Sequence, residues 1–296
     1  AAAAGLAFVL AGCKEQSVES VQRGYRGLGM EQLYTKAQLD EKRAANVAPD
    51  PFPAVAKGGE PAGKAYENVK VLKDVSVAEF TRLMAAITTW VAPEEGCNYC
   101  HEEENLAADT KYTKVVSRRM LEMTQHINAN AKNHVGETGV TCYTCHRGQH
   151  IPTQVWFTEP VPRSALGAAG NKAGQNTPVP ALGLASLPYD PLTPFIAQDN
   201  EIRVVSTQPL PGANRHSIKQ TEWTYSLMMH MSESLGVNCT YCHNTRSFAA
   251  WDQSSPQRVT AWHGIRLARD LNANFLEPLK PQFPATRLGP LGDVAK

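Results

Sequence analysis

Cys97-Asn98-Tyr99-Cys100-His101, Cys142-Tyr143-Thr144-Cys145-His146 and Cys239-Thr240-Tyr241-Cys242-His243 are the three stretches on which the reading of this chain turns. Each repeats one pattern, a pair of cysteines three apart followed at once by histidine. Together they absorb six of the seven cysteines, and the seventh, Cys13, stands apart. With 7 Cys and 9 His among 296 residues, chance supplies one such pentapeptide in roughly 0.005 chains, so three are not chance.

Two cysteines on one turn can each add to a haem vinyl group, and the adjacent histidine then points its imidazole at the iron. Two other chemistries use Cys-x-x-Cys. Zinc wants four closed ligands, usually from two such pairs. A thioredoxin-like dithiol has no use for the same histidine three times over. The pairs Cys97/Cys100, Cys142/Cys145 and Cys239/Cys242 therefore read as thioether anchors for three haems c, with His101, His146 and His243 on the irons.

The remaining composition fits that reading. Basic and acidic residues nearly balance, 29 against 28, so no nucleic-acid partner is expected. Twenty prolines and 21 glycines predict a loop-rich chain with short elements, and 42% hydrophobic with 7% aromatic is thin for a core of this size. Bulky apolar cofactors would serve as part of that core.

Periodicity predicts a mainly α chain. Phe80, Leu83, Met84, Ile87 and Val91 form one apolar stripe; Val116, Met120, Met123 and Ile127 form a second; Leu227, Met228, Met231 and Leu235 form a third. Each predicted helix ends shortly before a motif, and a fourth, Val259 to Phe275, follows the last motif after Pro256. A methionine on each stripe, Met84, Met120 and Met228, is a candidate sixth iron ligand. Met123, Met229 and Met231 lie close enough to compete. His/Met ligation closes the iron and raises its potential, which suits electron transfer rather than catalysis, so no catalytic residue is assigned.

Residues 151–215 are rich in Pro, Gly, Ala and Asn and read as a long connector laid over the surface, with one short strand at Ile202–Val205. It separates a first haem-binding half, 14–150, from a second, 216–296. The halves look like diverged copies: His126-Ile127-Asn128-Ala129-Asn130 recurs as Asp270-Leu271-Asn272-Ala273-Asn274, at nearly the spacing of Cys97 from Cys239. The expected architecture is two pseudo-twofold-related helix–haem–helix–haem units. Residues 1–13 open with AAAAGLAFVLAG, too short to span a bilayer alone. They read as the end of an uncleaved membrane anchor. Leu10-Ala11-Gly12-Cys13 also resembles a lipobox, and both readings imply export.

The motifs, their Met-bearing helices, the run Gly24-Tyr25-Arg26-Gly27-Leu28-Gly29-Met30 and the run Ala261-Trp262-His263-Gly264-Ile265-Arg266-Leu267 together resemble the tetrahaem cytochrome subunit of purple-bacterial photosynthetic reaction centres. The resemblance implies a periplasmic protein of the photosynthetic membrane, seated on the reaction-centre membrane subunits. It implies a soluble donor, a cytochrome c or a high-potential iron–sulfur protein, and a haem row ending at the special pair. By position it pairs Met84 with His101, Met120 with His146 and Met228 with His243, the last nearest the special pair, with Arg258 beside it. The family has a fourth motif soon after the segment matching Pro284-Ala285-Thr286-Arg287-Leu288-Gly289-Pro290, and 1–296 contains three. His134, just before Cys142, holds the family position that ligates the fourth haem, so three haems are expected here and a fourth is possible. His126, His150, His216, His230 and His263 read as structural or surface residues. Glu94, Glu95, Glu102, Glu103 and Glu104 form an acidic collar around the first motif, a landing place for a basic donor. A membrane-anchored carrier of a respiratory chain is the alternative; a haem reductase or peroxidase would need an open iron.

Overall fold

The computed structural model describes residues 17–22, 31–160, 187–204 and 218–296. Cys13, the rest of the N-terminal segment, the Gly24 to Met30 run and His216 lie outside the described residues. The chain is mainly helical with little strand.

The opening element is a hairpin that periodicity did not predict. Strand β1 (Val18–Gln22) pairs antiparallel with β2 (Glu31–Thr35), Val18 opposite Thr35. Tyr34 turns inward and is buried. Thr35 then caps helix α1 (Lys36–Ala44) in a reciprocal box with Gln38, and α1 seats Leu39.

A one-turn helix, α2 (Ala62–Ala65), precedes α3 (Val77–Val91), the first Met-bearing helix. Ser76 accepts from the Glu79 backbone N–H at 3.3 Å while Glu79 accepts from the Ser76 N–H. Loss of such a cap costs about 1 kcal/mol. Pro93 stops the helix, and a 3-10 turn at Gly96–Tyr99 carries the first motif. The second Met-bearing helix, α4 (Tyr112–Asn130), is followed by the short α5 (Lys132–Val135) and by α6 (Cys142–His146), which is the second motif itself. Helix α6 packs on α3 and ends at Arg147, left-handed at φ 49°.

The third Met-bearing helix, α7 (Ile218–Leu235), stops at Gly236, whose φ of 61° suits a residue without Cβ. A 3-10 turn at Cys239–Tyr241 carries the third motif. Helix α8 (Gln257–Leu271) runs on through a π turn, Asn272–Leu276, so the predicted fourth helix is present and ends differently from its regular α beginning.

The connector reading needs correction. Its described part lies only partly over the surface: Phe195 and Ile196 are buried with Trp223 and Leu227 of α7, and Trp156, Leu192 and Ile265 pack around them. Arg269 of α8 fastens this segment by donating to the Phe195 and Asn200 carbonyls, each at 2.7 Å. Apolar Pro-Phe-Ile within a Pro-rich stretch supplies core to α7 from a single π turn, Thr193–Ala197. The strand at Ile202–Val205 is also corrected. Ile202 is irregular and Arg203 and Val204 form a bend, the Arg203 carbonyl accepting from Gln220 and Thr224 side chains rather than from a partner strand; Val205 lies outside the described residues. The C-terminal residues fold back, Trp156 and Lys296 exchanging backbone hydrogen bonds of 3.0 Å. Among the described residues no helix is long and apolar enough to cross a membrane.

Candidate haem sites

Each motif sits on a single tight turn just beyond a helix end, and in each the histidine ring is held the same way. Nδ1 donates to a backbone carbonyl a few residues on: His101 to Leu106 at 2.8 Å, His146 to Gln149 at 2.9 Å, His243 to Phe248 at 3.1 Å. A carbonyl can only accept, so Nδ1 carries a proton, and in the neutral ring the lone pair is on Nε2. Metal-ligating histidines are oriented by such a bond from the second nitrogen.

Of the histidines read as structural or surface residues, three engage a neighbour through Nε2, and His126 uses Nδ1 as well. Nε2 of His126 meets Asp270 at 2.6 Å, Nε2 of His150 meets Glu95 at 2.7 Å, and Nε2 of His230 faces Ser234 at 3.4 Å. His150 also stacks on Tyr99 of the first motif at 4.0 Å. His134 falls with the motif histidines: its Nδ1 lies 3.1 Å from the Thr260 carbonyl.

The first and third motif loops share two of their bonds. Thr113 donates to the Tyr99 carbonyl and Ser255 to the Tyr241 carbonyl, at 2.6 and 2.5 Å. The Ala108 N–H reaches the Asn105 carbonyl, and the Ala250 N–H reaches Ser247, at 3.1 and 3.2 Å. The second loop is built differently. Asn128 makes a paired bond with Val140 ahead of it, and Tyr143 and Arg147 tether it to the Val47 and Ala45 carbonyls.

Electrostatics separate these sites from the competing chemistries. Burial pushes the thiols of Cys100, Cys142, Cys145 and Cys242 up. A reactive dithiol is built the other way, with a lowered pKa. Burial pushes His146 and His243 down, favouring the neutral imidazole that a metal needs. Among the described residues no three His, Cys, Asp or Glu converge into a bare metal cage.

The sixth-ligand candidates take their expected helices. Met84 on α3, Met120 on α4 and Met228 on α7 are half-buried. Thr88 and Thr124 bond back to the Met84 and Met120 carbonyls, both at 2.9 Å. Met228 and Met231 both pack on the Phe195–Trp223–Leu227 cluster. His134 lies over Gly264 of α8, where an added Cβ would come within 2.5 Å of its ring. Arg258 is not an ordinary surface charge. Half-buried on α8, it donates to Ala250 O at 3.0 Å and Ser254 Oγ at 2.7 Å and stacks on Trp251 at 4.1 Å. Burial pulls its pKa down, against the opposing pull of Cys242 nearby.

Of the acidic collar, Glu94, Glu103 and Glu104 are exposed, Glu95 holds His150, and Glu102 accepts from Thr110 at 2.7 Å. Sequence reasoning missed the ion cluster behind this loop. Asp109 meets Arg118 at 2.8 Å, Lys70 at 3.0 Å and Lys114 at 3.5 Å. The signal was there in Lys114 and Arg118, one helical turn apart and just beyond an aspartate.

Three Cys-x-x-Cys-His turns on a helical and loop-rich chain define a c-type cytochrome with covalently bound haem c. The family described as the photosynthetic reaction centre cytochrome C subunit matches residues 14–296, and the chain belongs to it. It is 56% identical to the photosynthetic reaction center cytochrome c subunit of Rubrivivax gelatinosus, over 98% of this chain and 79% of that one. Identity to the subunit of Thermochromatium tepidum is 52%, over 96% and 70% of the two chains. To that of Roseobacter denitrificans it is 41%, over 92% and 76%.

Proposed function

We propose that this protein carries electrons, on haems held at its three motifs, to the photo-oxidised special pair of a photosynthetic reaction centre, and that a soluble periplasmic donor re-reduces it. The observation that carries the site reading is the shared Nδ1-to-carbonyl bond, which aims Nε2 of His101, His146 and His243. Bound haem iron supplies one-electron redox chemistry. The cysteine pairs would hold the porphyrins through thioethers, and Met84, Met120 and Met228 would supply thioether ligands that leave the irons no open position.

Surface chemistry supports an orientation. Phe248, Trp251 and Val259, about half exposed, give the region after the third motif an apolar face suited to docking on the reaction-centre subunits. The exposed Glu94, Glu103 and Glu104 suit a basic donor at the first motif. The protein would thus stand on the periplasmic side of the membrane, held there in part by its N-terminal segment, residues 1–13.

The matching loops of the first and third motifs support two related halves. So does the contact of His126 with Asp270, which occupy equivalent places in the repeated run. His134, bonded like a motif histidine and seated where Gly264 replaces the counterpart of Met120, would ligate a further haem.

Flash excitation of photosynthetic membranes tests the assignment. Oxidation of the bound haems should follow the flash, and the protein should co-purify with bacteriochlorophyll. A protein that purifies without pigment and reacts only with quinol-linked partners would indicate a respiratory carrier. Ready carbon monoxide binding by the native protein would indicate an open iron and an enzyme.

A further inference from the structure

Lys114 is a buried cation, 6% exposed, near the start of α4. Its ammonium donates to the Leu106 carbonyl at 2.7 Å and to the Ala108 carbonyl at 2.8 Å. The Leu106 oxygen is also the acceptor for His101 Nδ1, at 2.8 Å. One carbonyl therefore holds the first motif's histidine and a buried positive charge together.

The other two sites lack this arrangement. Among the described residues neither Gln149 O nor Phe248 O, the acceptors of His146 and His243, receives a lysine or arginine. In the third loop Arg258 reaches Ala250, the counterpart of Ala108, and leaves Phe248 O to His243. Nor does Asp109 cancel Lys114. Its carboxylate is engaged more closely by Arg118 and Lys70, at 2.8 and 3.0 Å against 3.5 Å.

We propose that Lys114 tunes the iron bound by His101, raising its reduction potential through the shared Leu106 carbonyl. The proposal rests on the haem assignment above. A charge-assisted bond draws electron density from the carbonyl oxygen. The oxygen then pulls less on the Nδ1 proton, so the imidazole is a poorer electron donor to iron through Nε2. The ammonium charge, screened by protein rather than water, also disfavours the more positive oxidised state. Both effects act in one direction. Lys114 is thus a positioning and tuning residue that acts through the Leu106 carbonyl, and Asp109 is its partial counterweight.

The experiment is a spectroelectrochemical titration of the intact, haem-loaded protein, with each midpoint followed separately. Lys114→Met keeps the apolar stem and removes the charge; it should lower the midpoint of the haem on Cys97/Cys100 and leave the others in place. Lys114→Arg should restore it most of the way. Asp109→Asn removes the counterweight and should shift the same haem upward. Opposite signs from the two neutral variants are not what general loosening would give, since that would move both the same way. Should Lys114→Met fail to accumulate, Asp109→Asn still carries the test. No shift in the variants with haem in place, or a shift of one sign in both, overturns the role of Lys114. Peptide masses of the wild type separate the two ideas: unmodified Cys97 and Cys100 would remove the haem reading itself, and this proposal with it.

Discussion

His126 Nε2 of α4 and Asp270 Oδ2 of α8 lie 2.6 Å apart, and the two residues hold equivalent places in the repeated run. Each is steadied by an asparagine four residues on: Asn130 to His126 Nδ1 at 3.1 Å and Asn274 to Asp270 Oδ1 at 2.6 Å. Phe275 packs against the His126 ring with centroids 5.0 Å apart and takes the Arg119 guanidinium on its face at 4.4 Å. The bond joins the segments that lead into the second motif and out of the third. Asp270→Asn should destabilise the protein by about 1–3 kcal/mol, the usual range for losing a bond to a charged group. A denaturant melt followed by circular dichroism measures it, and an unchanged midpoint would show that the contact is incidental.

The same pair makes a pH prediction. Burial pushes the Asp270 carboxyl up, but bonds from Asn274 and His126 outweigh it and the net position is below the ordinary value of 3.8. Asp109 is held far below the usual carboxylate range, chiefly by its bond from Arg118. A carboxyl whose native pKa is depressed stabilises the fold fully above its unfolded value and loses that contribution as pH falls through the native one. Stability should therefore decline below about pH 4, and Asp270→Asn should flatten the decline. Melting temperatures from about pH 6 down to pH 3 provide the check; equal slopes in mutant and wild type would remove Asp270 from the account.

Much of this was legible beforehand, and the reason differs by element. The tight turns that carry the motif cysteines and histidines are short-range features, set by spacing within one turn, so the turn from Cys97 to His101 could be anticipated without the fold. Met84, Met120 and Met228 lay on stripes long enough for the 3.6-residue period to show. Phe195 and Ile196 escaped because a segment of Pro-Phe-Ile has no period; only the arrival of Trp223 and Leu227 makes it core. The β1–β2 hairpin escaped because its strands are short and mostly polar. Lys114 escaped for a third reason. Its partners are the backbone carbonyls of Leu106 and Ala108, and carbonyls leave no mark in a sequence.

Charge reversal on the acidic surface is the test of donor docking. Glu103 and Glu104 are exposed, whereas Glu102 supports its own loop through Thr110. Glu103→Lys with Glu104→Lys should lower the second-order rate with a basic cytochrome by about tenfold at low ionic strength, and the difference should shrink in high salt. Stopped-flow reduction measures this. A rate independent of both mutation and salt would move the donor elsewhere.

Met228→Leu should open one iron and lower its potential, since a thioether ligand favours the reduced state. The volume is nearly conserved, so the contacts with the Phe195–Trp223–Leu227 cluster should survive at a cost below about 1.5 kcal/mol. Spectral loss without unfolding is therefore the expected outcome. An intact sulfur-to-iron absorption band would shift the assignment to Met231, which borders the same cluster.

His134 and Gly264 give the sharpest test of a further haem. The ring sits where a Gly264 side chain would begin, with 2.5 Å between an added Cβ and Cε1. Its Nδ1 is bonded to Thr260 O, so Nε2 faces away from α8's backbone acceptor and in the neutral ring would offer its lone pair. Gly264→Ala must push the ring aside or strain the α5–α8 contact, an overpacking cost of about 1–3 kcal/mol. His134→Ala removes the ring and leaves the glycine uncrowded. If His134 ligates iron, both variants open the same site: each should bind carbon monoxide at one haem and lower its potential, in protein prepared with all its haems. If His134 only packs, Gly264→Ala should melt earlier with every haem spectrum intact, and His134→Ala should be nearly silent. The two patterns cannot both occur, and a pyridine haemochrome count on the same samples gives the haems per chain.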